Sequence, residues 1–244
     1  MRAHPLRLWL LRHRARQFNI GKMPAAALPS RLQALVFDAY GTLFDVHSVV
    51  RRCDALWPGR GAQLSQLWRA RQLEYTWQRS LMQCYVPFSQ VTREALAYAC
   101  EALSLPLTAR DADALMEEYC RLSVYPDVPA ALAAFGSRQK AILSNGSPDM
   151  LAPLVKHSGL KFDAVLSVDE VRIFKPAPAV YELAVKRLGV AADKIGFVSS
   201  NCWDALGAKS YGFEVFWINR GGAPAERLGF APDGTLATLG ELRP

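Results

Sequence analysis

The sequence predicts an α/β protein: a doubly wound, parallel-sheet (Rossmann-like) core carrying a helical cap inserted after its first strand. Three observations predict it. Short apolar runs at Leu35–Phe37, Lys140–Leu143, Ala164–Val168, Ile195–Val198 and Glu214–Ile218 alternate with helix-period segments, the signature of parallel strands joined by crossover helices. About eighty residues between the first strand and the second read as helix alone. The polar residues Asp38, Ser144, Ser199, Asn201 and Asp204 all follow strands, and the carboxyl ends of such strands are where open α/β sheets bind ligands.

The first strand ends on Asp38-Ala-Tyr-Gly-Thr-Leu-Phe-Asp45. Gly41 permits a sharp turn there, and Thr42 can return a hydroxyl hydrogen bond to the aspartate. Taken alone, Asp-x-x-Gly-Thr reads equally well as a strand-end aspartate capping its own turn. Leu64, Leu67, Trp68, Leu73 and Trp77 then recur at helical spacing, and Val91, Ala95, Leu96, Ala99, Cys100 and Leu103 make a second stripe. Thr108 to Asp111 has the form of a capping box and opens a third helix. These segments predict a cap over residues 46–125, with the core formed by 31–45 and 126–244. Ser147 and Pro148 start a helix in N-cap and first-turn positions. Gly189 and Gly212 close the helices from Pro178 and Asp204.

Composition excludes several classes. Hydrophobic content of 51% implies a real core. The net charge of +7 resides almost wholly in residues 1–30, whose five arginines and one lysine meet no acid, so residues 31–244 carry about +1. That balance predicts no nucleic-acid surface. Leu6–Leu11 is too short and too interrupted by Arg7 for a membrane span. Residues 1–30 therefore read as a disordered basic extension. It resembles a transit peptide in composition, or it reflects a start upstream of the natural one, with Met23 a plausible alternative. Five cysteines without a Cys-x-x-Cys pair, and four scattered histidines, predict reduced thiols in a cytoplasmic protein and no metal centre.

Strand, nucleophile loop and later segments together resemble the haloacid dehalogenase superfamily, whose first motif is Asp-x-x-Gly-Thr with the first aspartate as nucleophile. Its phosphatases carry a second acid two residues on, to protonate a leaving alcohol; here that position is Tyr40. Lys175-Pro176 resembles the third motif, a lysine able to keep Asp38 ionised. Ser144-Asn145-Gly146 resembles the second, a hydroxyl and backbone N–H groups able to cradle a carboxylate. Ser199-Ser-Asn-Cys-Trp-Asp204 stands where the phosphatases hold Mg²⁺, with Asn201 in place of one acid.

Within the superfamily, Asp38–Ser48, Leu67–Trp77, Ile142–Ser147, Lys175-Pro176 with Tyr181, and Ser199–Asp204 resemble the L-2-haloacid dehalogenases from about residue 33 to 230. The resemblance implies Asp38 as nucleophile, Arg69 and Asn145 as halide ligands, and Thr42, Ser144, Lys175, Tyr181, Ser199, Asn201 and Asp204 as the polar site. Ala39 and Tyr40 would line the substrate, with Leu73, Phe88 and Trp203 as the apolar wall. Spacing alone does not choose Arg69 over Arg71, Arg79 or Arg93. Ala70 departs from the family, which carries a polar amide there, and the chain is shorter before Lys140 and near Lys161. The implied function is hydrolysis of short (S)-2-haloalkanoic acids through an aspartyl ester, without cofactor, in a homodimer. The alternatives are a Mg²⁺-dependent phosphatase on the same fold and a non-catalytic binding protein, the latter disfavoured by a full set of competent side chains.

Overall fold

The computed structural model describes residues 26–244. The basic extension anticipated over residues 1–30 lies outside the described residues as far as residue 25. Ala26–Ala27 (β1) instead pairs in parallel with Leu242–Arg243 (β8), and Leu28 is buried.

Ala34–Phe37 (β2) is buried along its whole length, as a strand covered on both faces must be. It lies between Gln139–Ser144 (β3) and Ile195–Ser199 (β5), with Phe37 level with Ile142 and with Val198. Ala164–Ser167 (β4) pairs outside β3, while Glu214–Ile218 (β6) and Gly234–Leu236 (β7) extend the other side. The sheet order β4-β3-β2-β5-β6-β7 is parallel throughout. Strand β7 was not legible in the sequence, since Gly234-Thr-Leu has neither length nor alternation. The same holds for Val128–Ala134 (α5), whose small residues carry little periodic signal.

The cap consists of Val50–Leu56 (α1), Gly61–Leu81 (α2), Phe88–Ala102 (α3) and Ala109–Tyr119 (α4). Its two linkers pair with each other: Asp45 N–H donates to Ser123 O at 2.8 Å and Tyr125 N–H to Leu43 O at 3.1 Å. The chain thus leaves and re-enters the core at one point. Thr108 accepts from Asp111 N–H, as its capping position predicts.

The buried face of α2 differs from the apolar stripe. Gly61, Leu64, Ser65, Trp68, Gln72 and Thr76 are buried, while Leu67, Leu73 and Trp77 are half-buried. Gln72 tolerates burial because both ends of its amide are bonded: Nε2 donates to Thr92 Oγ1 at 2.7 Å and Oε1 accepts from Arg69 at 2.6 Å. Trp68 Nε1 donates to Thr92 O at 2.8 Å, fastening α2 to α3.

Beyond β3 and β5 lie Pro148–Ser158 (α6), Pro178–Leu188 (α7) and Cys202–Tyr211 (α8). Gly189 and Gly212 end α7 and α8 as the sequence predicts. Helices α7 and α8 meet at Gly207, where a Cβ would stand 2.5 Å from the Tyr181 hydroxyl and 2.6 Å from Pro176 Cβ. Gly207→Ala should therefore lower unfolding stability by about 1–3 kcal/mol. It should also displace Tyr181, and both effects are read by urea denaturation alongside turnover.

Candidate active site

The loops that follow β2, β4 and β5 meet at Asp38. Its carboxylate accepts from Thr42 Oγ1 at 2.9 Å and Asn201 Nδ2 at 2.8 Å on one oxygen, and from Lys175 Nζ at 3.1 Å on the other. Gly41, at φ +88°, makes the turn that brings Thr42 back over the aspartate. Thr42 is itself fixed by Ser200 N–H, 2.8 Å from its oxygen. The backbone N–H groups of Ala39 and Tyr40 donate to nothing among the described residues, leaving two donors beside the carboxylate for a ligand anion.

Lys175 is 1% exposed and lies between two acids, with Asp204 Oδ2 at 2.9 Å as its second partner. Burial opposes its charge, but the carboxylates of Asp204 and Asp38 outweigh that and raise its pKa, so the ammonium stays charged. Asp204 is fully buried, and desolvation pushes its carboxyl up to about 6 despite the neighbouring ammonium. The two directions are compatible: one cation serves two carboxylates, and the surplus negative charge is the one that acidification neutralises. Tyr181 donates to Asp204 Oδ1 at 2.9 Å, so it reaches the nucleophile only through Asp204 and Lys175.

Several residues that the motifs place here are also bonded to the backbone around them. Ser199 Oγ accepts from Asn201 N–H at 3.1 Å and does not touch Asp38; it braces the loop that carries Asn201. Ser144 Oγ likewise accepts from Gly146 N–H, at 3.0 Å. Asn145 Oδ1 accepts from Lys175 N–H at 2.9 Å, leaving its Nδ2 with no partner among the described residues. Ser147 and Asn201 occupy N-cap positions, yet neither caps its helix. Ser147 Oγ accepts from Ser89 N–H in the cap at 3.1 Å, and the Asn201 amide is committed to Asp38 and to Tyr40 O.

The four candidate arginines differ in their partners. Arg71, Arg79 and Arg93 pair with Glu74, Glu94 and Asp113, whereas Arg69 meets no carboxylate among the described residues. Its guanidinium donates to Gln72 Oε1 and, at 3.4 Å, to Tyr40 O, the same carbonyl that Asn201 Nδ2 reaches at 3.2 Å. Gln72 is the residue sequence reading missed here; an amide in an otherwise apolar stripe was its only signal. Leu73 lies one turn beyond Arg69 on the same helix face. Phe88 packs on Tyr40 with centroids 5.6 Å apart, and Trp203 meets Trp77 edge-on at 5.4 Å. Burial holds the Tyr40 hydroxyl well above its ordinary pKa, and that hydroxyl has no partner among the described residues. Among the described residues no group of three or more His, Cys, Asp or Glu side chains could hold a metal ion.

A buried aspartate at the end of the first sheet strand, an ammonium beside it and a helical cap over it define a hydrolase of the haloacid dehalogenase-like class; the family model of that description matches residues 32–212. The (S)-2-haloacid dehalogenase of Pseudomonas sp. (strain YL) is 50% identical over 212 residues, covering 85% of this chain and 91% of the relative. Haloacetate dehalogenase H-2 of Moraxella sp. (strain B) is 45% identical over 86% of this chain and 95% of its own length. A solved structure of L-2-haloacid dehalogenase from Xanthobacter autotrophicus with chloropropionic acid covalently bound aligns at a TM-score of 0.82 with 43% identity, covering 86% of this chain and 96% of that one. The chain belongs to the (S)-2-haloacid dehalogenase family.

The cluster sets an expected pH profile. The nucleophile must be ionised and Lys175 charged. A proton entering at Asp204 below about pH 6 frees Lys175 to bind Asp38 alone and lowers its reactivity. kcat/KM should fall with unit slope below about pH 6, with no alkaline limb from Lys175 until above its ordinary value. Asp204→Asn should abolish that acid limb while lowering kcat by about 10²-fold or more; a pH–rate series on both enzymes checks this.

Proposed function

We propose that the chain hydrolyses short-chain (S)-2-haloalkanoic acids to (R)-2-hydroxy acids through an ester on Asp38. The observation that carries this reading is a carboxylate anchored on both oxygens by Lys175, Thr42 and Asn201, followed two residues later by Tyr40 in place of an acid. With burial raising it well above 10, the Tyr40 hydroxyl supplies no proton at neutral pH, so the leaving group must depart unprotonated, as halide does. The Xanthobacter autotrophicus relative solved with chloropropionic acid covalently bound supports a covalent intermediate.

In the first step an Asp38 oxygen attacks C2 in line, the carbon–halogen bond breaks and configuration inverts. The halide leaves towards Arg69, the cap cation without an acid partner, with Asn145 Nδ2 as a second donor. Ala39 and Tyr40 N–H groups and Ser144 hold the substrate carboxylate, while Leu73, Phe88 and Trp203 enclose the carbon chain. Capping excludes water and strengthens these charge interactions. Water then adds to Asp38 Cγ and the bond from Cγ to the substrate oxygen breaks. The hydroxy acid departs with an oxygen that began on Asp38, one proton is released, and the carboxylate is restored.

The proposal also includes a homodimer in the cytoplasm. Exposed Leu81 and Met82 at the end of α2 offer apolar surface to a second copy, and the five cysteines are free. Among the described residues no helix is long and apolar enough to cross a membrane.

One turnover of (S)-2-chloropropionate in ¹⁸O-water should place the label on Asp38 and leave the first product unlabelled. Immediate label in the product with none on Asp38 would mean that water attacks C2 directly. Asp38→Asn, checked by mass for deamidation, should lose about four orders of magnitude or more in chloride release, and chelator should leave the parent rate unaltered.

A further inference from the structure

Two arginines of α2 share one local geometry and differ in the chemistry of their partner. Arg71 Nη1 meets Glu74 Oε2 at 2.6 Å, and Arg69 Nη1 meets Gln72 Oε1 at 2.6 Å, each partner lying three residues on along the same helix. The first contact is a partly exposed ion pair. In the second, a neutral amide stands where the carboxylate would be, and it is fully buried. An amide oxygen accepts from a guanidinium without bringing a charge of its own, so Arg69 is held in place while its charge stays unneutralised.

Thr92, buried on α3, decides which way that amide points. Its Oγ1 donates to Phe88 O at 2.7 Å and accepts from Gln72 Nε2 at 2.7 Å. A hydroxyl has a single proton. With that proton on Phe88 O, the oxygen faces Gln72 as an acceptor, and only the nitrogen end of the amide satisfies it. The oxygen end is thereby turned to Arg69. A carboxylate in place of the amide would set two acceptors against each other at Thr92, which is costly where no water reaches. Thr92 O in turn accepts from Trp68 Nε1 at 2.8 Å, so the threonine is itself tied to α2.

We propose that Gln72 is a positioning residue for dehalogenation: it aims Arg69 at the departing halide and, as an amide, keeps that arginine's charge available, with Thr92 setting the amide's direction. Without it the long, half-buried side chain of Arg69 would keep only its 3.4 Å bond to Tyr40 O and would spread over several rotamers. A guanidinium carries more N–H groups than these two bonds use, so donors remain for the anion. Charge placed in advance where negative charge develops lowers the barrier to halide departure. The inference rests on the proposed reading that Arg69 receives the halide, and separate variants test the two.

The test is single-turnover rapid-quench kinetics with (S)-2-chloropropionate and (S)-2-bromopropionate, following halide release and, by mass spectrometry, the ester on Asp38. Gln72→Glu gives Arg69 the kind of partner that Arg71 has. Halide release should slow by about tenfold or more for chloride and by less for bromide, the better leaving group, while ester decay keeps the parent rate. Thr92→Val, which keeps the branched shape but not the hydroxyl, frees the amide to turn and should slow chloride release more than bromide release; Thr92→Ser should restore both. A folded Gln72→Glu enzyme with parent halide release overturns the role. So does equal slowing of halide release and ester decay, or of chloride and bromide, the pattern of a residue that only fastens α2 to α3. If Gln72→Glu does not fold, the two Thr92 variants decide by the same readings. An Arg69→Gln enzyme that releases chloride as fast as the parent overturns the halide reading itself, and the positioning role falls with it.

Discussion

The site depends on one buried ammonium held between two carboxylates. Lys175 is nearly inaccessible, and an unpaired lysine at that depth would shed its proton. Asp38 and Asp204 prevent this from either side, at 3.1 and 2.9 Å. Burying Asp204 is costly, since desolvation, with the Asp38 charge adding to it, raises its carboxyl to about 6 against the pull of Lys175. The Tyr181 hydroxyl offsets part of that cost, and Gly207 leaves room for the phenol to reach it. The second carboxylate thus holds the lysine charged, and the lysine in turn holds one oxygen of the nucleophile at 3.1 Å.

Sheet topology brings these groups together from distant parts of the chain. With β2 between β3 and β5, the loops after three neighbouring strands open at the same edge of the sheet. Asp38, Ser144 and Asn145, and Ser199 to Asn201 therefore come together although more than a hundred residues separate the first group from the next. Local structure yields to this arrangement at two helix starts. Ser147 and Asn201 stand at N-cap positions and spend their side chains elsewhere, each forgoing a cap worth about 1 kcal/mol. Departures from local rule of this kind are expected where function sets the geometry.

The strand ends and the aspartate loop were legible in the sequence because each is a local signal: an apolar run, then a polar residue, then turn chemistry. Lys175 was legible for the same reason, and the capping of α4 at Thr108 and the endings of α7 and α8 matched their residues. Contacts that close across elements were not. The bond between Gln72 and Thr92 spans two helices, so nothing local marked the amide as buried; the tie from Arg220 to Asp127 and Thr42 O spans 93 and 178 residues. Ser199 shows the converse, since its motif position was legible while the direction of its hydroxyl was decided by the loop around it. Arg69 needed both kinds of information. Resemblance chose it, and only the pairing of its three neighbours with acids gives that choice a physical basis.

The cap touches the core beside the reacting groups rather than at them. Ser80 accepts from Phe174 N–H at 3.1 Å, one residue before Lys175. Ser147, two residues after Asn145, accepts from Ser89 N–H, and Trp77 abuts Trp203, one residue before Asp204. Tyr85 bonds to Asp169 and stacks on Phe174 at the same seam. Each contact fixes the backbone next to a site residue without engaging that residue's side chain. A cap seated this way carries Arg69 to the Tyr40 carbonyl, where its unpaired charge stands close to the Asn201 amide and, through it, to Asp38. A leaving anion gains most from a cation with no other acid to neutralise it, so in the proposed reaction seating the cap and stabilising the departing charge are one event.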